Sequence, residues 1–394
     1  MAEEAVRVAD SDWMPASWIM CASTLLRHAM TWCGLCLLFV GCFLSMRTGV
    51  SGFLLGLSLS VLSVLLHETG HALAAVFGGA TLLRVRVGSV DVQPLRDGWR
   101  MRWKRAPRGI GGMVHSLPSP HRSLRRQMMA TVVAGPAVNM VLGLGSLGLG
   151  YVMRGQHAGM ALLGFGAYNA LLALANLLPW SSASMLSSDG LQLLRWLRGI
   201  GDDDPQVAFI RLNARLISGE RLGPWADEYL RVLERGSQPG PMFALWARMH
   251  ALQVEGEWTR AGEVMREIEL HIVGLSPPMV KALADFIAYL RCEASFSRVM
   301  AGETVAQSPM DILGPDLGWA FPALRLRCEA LIYAIDGQPV QARARLAESA
   351  YWAGRSVDRS LEHAEAVVRQ AVQARIDGAP EPAPSRLQAV PVGA

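Results

Sequence analysis

The stretch Val50 to Gly79, VSGFLLGLSLSVLSVLLHETGHALAAVFGG, decides how this chain is read. It is apolar over more than the roughly 20 residues that a helix needs to cross a bilayer. Near its C-terminal end stands His67-Glu68-Thr69-Gly70-His71, an H-E-x-x-H pentapeptide. On a helix, positions i and i+4 project from one face, so His67 and His71 can offer two imidazoles to one metal ion with Glu68 beside them. Ionisable residues inside an apolar span are expensive and mark a functional site.

Working outward, the 394 residues are 51% hydrophobic and 18% charged, with a mean hydropathy of +0.25. That is too apolar for an ordinary soluble protein and long enough for several spans joined to a soluble region. The net charge of +4 matters less than its placement. Residues 1–28 read as an interfacial segment, with Trp13 and Trp18 at headgroup depth and no signal-peptide pattern. Ala29 to Met46 forms a first span and Val50 to Gly79 a second. Gln127 to Met153 and His157 to Trp180 supply a third and a fourth. Cys33-x-x-Cys36 lacks a second pair and is read as ordinary helix composition. Gly143-Leu144-Gly145-Ser146-Leu147-Gly148 matches a dinucleotide fingerprint, but no strand precedes it and it lies mid-span.

Between the second and third spans, Ala80 to Arg126 holds eleven basic residues against Asp91 and Asp97. Leu83 to Val87 and Trp99 to Lys104 alternate with period two, which predicts an antiparallel hairpin with one basic face. Anionic lipid headgroups are the expected partner of those charges, and nucleic acid is set aside. The same basic excess places this connection, the N-terminus and the C-terminus in the cytoplasm. The expected location is a bacterial inner membrane.

Residues 29–199 therefore form a membrane-embedded domain. The amphipathic Leu191 to Arg198 closes it at the membrane surface. Asp202-Asp203-Asp204-Pro205 reads as a linker ending in a helix cap, with Pro at the first helical position. From 200 to 378 apolar residues recur at helical spacing, as in Trp258, Ala261, Met265, Ile268 and Ile272. Val254 to Ala261 and Ile335 to Ala342 echo each other around a Gly, like the turn of a tetratricopeptide-type unit. The fold class is mainly α and polytopic, followed by an all-α, solenoid-like or bundled soluble domain. Residues 379–394 read as a disordered tail.

Two His ligands leave a metal short of a third. Asp189-Gly190 follows the fourth span, preceded by Asn176-Leu177-Leu178-Pro179, and Gly135-Pro136-Ala137-Val138-Asn139 opens the third. The inferred topology brings all of these to the cytoplasmic side with the pentapeptide. Together they resemble the site-2 protease family of intramembrane zinc metalloproteases, the M50 class, over roughly Val50 to Gly190. The interval from Asn176 to Asp189 is longer than the common family form, and Ser187-Ser188-Asp189-Gly190 stands where Leu-Asp-Gly is usual.

The resemblance implies a Zn2+ ion held by His67, His71 and Asp189, with Glu68 as general base and Asn139 and Asn176 on the substrate side. It implies a membrane-spanning protein as substrate. The helical region, outside the family core, is expected to recruit substrate or a regulatory protein. Bland alternatives stand beside these roles: Asp189 as a helix cap, and Asn139 and Asn176 as hydrogen-bonding glue between spans. The rival reading of the whole is a membrane-anchored helical interaction protein with a non-catalytic metal site.

Overall fold

The computed structural model describes residues 15–105, 111–181, 187–201 and 203–378. The chain is mostly helical, with a small antiparallel sheet, and divides into two compact units. The first runs to residue 201 apart from Leu95–Gly98; the second takes Leu95–Gly98 and the chain beyond 201. Trp13 and the proposed tail lie outside the described residues.

Four helices of the first unit are long and apolar enough to cross a membrane: α1 (Ser17–Ser45), α2 (Gly49–Phe77), α3 (Leu124–Val152) and α4 (His157–Leu177). α1 begins at Ser17, so residues 17–28 of the segment expected to lie along the interface are helix continuous with the first span. Arg27, within this helix, stacks 4.2 Å over the Trp180 ring, where a cation finds a favourable partner without interrupting the helix. α1 packs on α4 through small residues. A Cβ on Gly41 would stand 2.4 Å from the Met160 carbonyl oxygen, an approach only Gly permits.

α2 leads through Gly78, Gly79 and Ala80 into a sheet of β1 (Thr81–Val87), β2 (Val90–Leu95), β3 (Gly98–Trp103) and β4 (Gly112–Leu117). The order is β3-β2-β1-β4, so the two strands predicted as a hairpin, β1 and β3, are separated by β2. β1 turns back through Gly88 (φ 55°) to pair with β2, and β2 is the strand the sequence hid. Asp91 and Pro94, both poor strand formers, disguise it.

Asp91 is tolerated because it is a hub. It is fully buried and accepts from Arg84 Nε (2.6 Å) and Nη2 (2.5 Å), Arg86 Nη2 (3.1 Å) and Arg102 Nε (3.0 Å). Burial pushes its carboxyl up, but the three guanidiniums outweigh this and hold it well below the usual range. The expected free basic face is thus, at Arg84, Arg86 and Arg102, an internal ion cluster.

After α5 (Asp189–Arg198), the second unit holds α6 (Pro205–Ile217), α7 (Asp227–Arg235), α8 (Gly240–Glu255), α9 (Trp258–Val273), α10 (Pro277–Ala282), α11 (Ala284–Met300), α12 (Pro309–Ala320), α13 (Pro322–Ile335), α14 (Pro339–Arg355) and α15 (Ser360–Asp377). Asp204 caps α6, accepting from Gln206 N at 2.7 Å, with Pro205 at the first helical position. The two echoing segments are the turns α8–α9 and α13–α14, each made by a left-handed Gly, Gly256 (φ 79°) and Gly337 (φ 68°). Between these pairs the succession is uneven: α10 is short, and α12 is kinked at Gly314-Pro315.

Fully buried Phe296, Leu313, Cys328 and Leu331 centre one core cluster. Inside the unit, Arg327 donates to Glu293 Oε2 at 2.6 Å and to Glu365 Oε1 at 2.8 Å. All three side chains are out of solvent, so their mutual charge compensation is obligatory.

Candidate metal centre

The site is assembled from α2, α3, α5 and β4 of the first unit. His67, Glu68 and His71 occupy one buried stripe of α2, with Gly70 allowing α3 to close on it. His67 Nε2 and His71 Nε2 are 3.1 Å apart, and Asp189 Oδ2 is 3.3 Å from the first and 3.5 Å from the second. These three residues form the metal-capable cluster found among the described residues. Two donors at a zinc-like distance of about 2.0–2.1 Å in tetrahedral geometry lie about 3.3 Å apart, so the triangle fits one small metal ion.

The outer contacts set the ring tautomers. His71 Nδ1 lies 2.7 Å from the Thr131 carbonyl oxygen and donates to it, which leaves the Nε2 lone pair facing the cluster. Thr131 sits in α3 just before Gly135 and Pro136, where the Pro ring and missing N–H loosen the helix. His67 Nδ1 is 3.2 Å from Asn139 Nδ2, while the buried Asn139 Oδ1 has no hydrogen-bond partner. A half-turn of the amide, which exchanges its two ends at no steric loss, pairs that oxygen with His67 Nδ1–H and points Nε2 at the metal position.

Two lone pairs and a carboxylate converging in a buried space repel one another unless a cation lies between them.

Gly135 explains why this motif is needed. A Cβ there would lie 2.3 Å from His71 Nε2 and 2.8 Å from His67 Nε2, inside the space the ligands occupy.

The long interval before Asp189 is closed by Ser188. Its hydroxyl donates to the Leu178 carbonyl (2.6 Å) and accepts from Trp180 N (3.0 Å) and Leu191 N (3.2 Å). Ser181 and Ser187 form an antiparallel bridge across the loop neck. Gly190 then meets the end of α4, where a Cβ would stand 1.9 Å from the Leu177 carbonyl oxygen. Ser188 is therefore the N-cap of α5, and Asp189, at the first helical position, is released from that task to face the histidines.

Asn176 is half-buried in the last turn of α4, and among the described residues no hydrogen bond joins it to the cluster. The role of polar glue between spans falls to Asn169, fully buried, which donates to Ser63 Oγ at 3.0 Å. Gly112, which sequence reasoning passed over, opens β4 against Glu68: a Cβ there would be 2.5 Å from Glu68 Oε1. The Gly111-Gly112 pair at a strand start was the available signal. His115 and His121 are exposed and outside the cluster. Of the glycines resembling a dinucleotide fingerprint, Gly143 packs on Ala170 of α4, while Gly145 and Gly148 face open space within α3.

Comparison with protein-family models, curated proteins and solved structures finds no match to this chain.

Proposed function

We propose that the protein is an intramembrane zinc metalloendopeptidase of the site-2 protease type, hydrolysing a peptide bond of a membrane-spanning protein. The observation that carries this reading is the His67–His71–Asp189 triangle, with Glu68 beside it on a helix long and apolar enough to cross a membrane. The donor set, two neutral imidazoles and one carboxylate, suits zinc, and such a set leaves a fourth position open in catalytic sites. Zinc bound there supplies Lewis acidity toward the scissile carbonyl and acidity to a water molecule.

The chain's own groups do the rest. Glu68 is adjacent to both ligands but is not one of them, which suits a group that takes the proton of the attacking water and passes it to the leaving amide nitrogen. The Thr131 carbonyl and Asn139 hold the imidazoles in the tautomer the metal requires. β4 is an edge strand, and its first residue touches Glu68. An unwound substrate segment added along that edge would run past the general base. This supports cleavage of an opened helix, since a peptide bond inside an intact helix is shielded by its own hydrogen bonds. The inferred topology puts both termini in the cytoplasm. The helical second unit, read as solenoid-like, then serves to recruit substrate or a regulatory protein.

Glu68→Gln separates the enzyme from a structural metal protein. Metal content should be retained while turnover falls about 10²- to 10⁴-fold, the usual contribution of acid–base catalysis. In membranes of the variant strain, a single-span protein should accumulate uncleaved. Unchanged processing of membrane proteins by the variant would overturn the reading and leave a membrane-anchored interaction protein.

A further inference from the structure

The β-sheet is inside out. Along β3 the exposure alternates in the sense opposite to that of a strand facing water: Trp99, Met101 and Trp103 are 64%, 71% and 80% exposed, while Arg100 and Arg102 between them are partly covered. The register carries this across the sheet. Arg86 is opposite Asp91 and Arg84 is opposite His115, so the arginines share a face with the Asp91 hub. Val85 pairs with both Val92 and Val114, and Val87 pairs with Val90, on the other face with the three exposed side chains of β3. Each of those valines retains some exposure. The polar face is gathered around Asp91, and the apolar face is open along β3, while at its far corner Gly112 meets Glu68 of α2.

From this we infer that the sheet lies on the membrane, with the Trp99–Met101–Trp103 face set into the boundary between lipid headgroups and acyl chains. Three observations select a bilayer over a protein as the occupant. First, the sheet is tethered at both ends to helices long enough to span: three residues separate β1 from α2, and β4 runs through 118–123 into α3. It cannot leave the membrane surface, so this face is always within reach of lipid. Second, the face is chemically interfacial. Two indoles whose N–H groups can reach water flank a flexible thioether, and Trp is the residue enriched at that depth. Third, Lys104 and the exposed Arg105 follow Trp103 directly, and a cation beside an interfacial Trp sits at the level of lipid phosphates. A water-facing surface would carry such a contiguous apolar patch only as a binding site. β3 and β4 are opposite edges of the sheet, so docking through β3 leaves the edge beside Glu68 open.

The test uses the full chain in nanodiscs of phosphatidylethanolamine and phosphatidylglycerol. The photoreactive residue p-benzoylphenylalanine is placed at Met101 on one face and, separately, at His115 on the other. Irradiation should give lipid adducts at position 101 and none at 115. Adducts at 101 to a second copy or to another protein would overturn the inference, as would equal lipid labelling of both faces or its absence from both.

A conservative variant guards against misfolding. In nanodiscs containing dibrominated phosphatidylcholine, Trp99→Phe with Trp103→Phe should lower the share of tryptophan emission quenched, relative to the wild type with its 12 tryptophans. An unchanged or higher quenched share would place both indoles away from lipid and reject the docking.

Discussion

Gly135 lies so close beneath His71 that a single added methyl group would occupy the metal position, 2.3 Å from Nε2. Helix α3 can therefore approach the histidine pair only with hydrogen at this residue. Gly135→Ala is expected to remove bound metal, since overpacking of about 1–3 kcal/mol falls wholly on the two ligands. Gly145→Ala, in the same helix with nothing within 4 Å of its Cβ, should leave metal content unchanged. Elemental analysis of the purified variants reads the difference. Equal metal in both would mean that the cluster is not the binding site.

Asn139 is expected to act through His67 rather than as a general polar contact between spans. Removing an outer partner of a metal-bound histidine typically lowers metal affinity or activity about 10- to 100-fold. Asn139→Leu should show that loss. Asn139→Asp, which still offers an oxygen to His67 Nδ1–H, should recover most of it. Competition with a zinc chelator measures both, and a loss equal in the two variants would remove the hydrogen bond from the account.

How much of this was legible without coordinates differs by element. The four long helices and the pentapeptide were, because apolar length and i/i+4 spacing are local properties of the sequence. Asp189 could be named but not placed, since what brings it to His67 is a loop closed by three hydrogen bonds to Ser188 Oγ. β2 was illegible for the opposite reason. Asp91 and Pro94 argue against a strand locally, and the three arginines that rescue Asp91 come from neighbouring strands. The inverted face of β3 was misread as a basic surface because alternation reports two faces without saying which one is covered. Gly112 and Gly135 look alike as letters, and only the atoms of Glu68 and His71 beside them give them meaning.

Ser188 makes a further prediction. Its hydroxyl is both the clasp of the loop and the cap of α5, so Ser188→Ala should loosen Asp189 without removing a ligand. Loss of a cap costs about 1 kcal/mol. Metal affinity should fall several-fold, less than for Asp189→Ala, and amide exchange should rise at Leu191. Ser188→Thr, which keeps the hydroxyl, should behave nearly as the wild type. An unaltered exchange rate at Leu191 in the Ala variant would show that the clasp is not what holds the ligand.

The second unit carries a pH signature that can be read independently of the metal centre. Burial pushes Glu293 up, but the Arg327 charge, with hydrogen bonds from Arg327 and Gln253, outweighs it and holds the carboxyl below its ordinary value. Glu365 meets Arg327 through one oxygen only, its other oxygen has no partner, and burial prevails and raises it. The two groups therefore contribute with opposite sign. A depressed carboxyl stabilises the fold above its unfolded pKa and loses that contribution as pH falls through the folded value. A raised one stabilises the fold below its unfolded pKa and loses that contribution as pH rises through the folded value.

Glu293→Gln should accordingly lower the thermal midpoint at pH 8, and Glu365→Gln should be neutral or raise it there. Arg327→Met, which strands two buried carboxylates, should cost about 3–5 kcal/mol near neutrality and recover partly in acid, where they protonate. Calorimetry of the full chain at pH 5 and pH 8, following the transition of the second, helical unit, distinguishes these cases. If both Glu→Gln changes destabilised equally at pH 8, the asymmetry between the two sides of Arg327 would have to be abandoned.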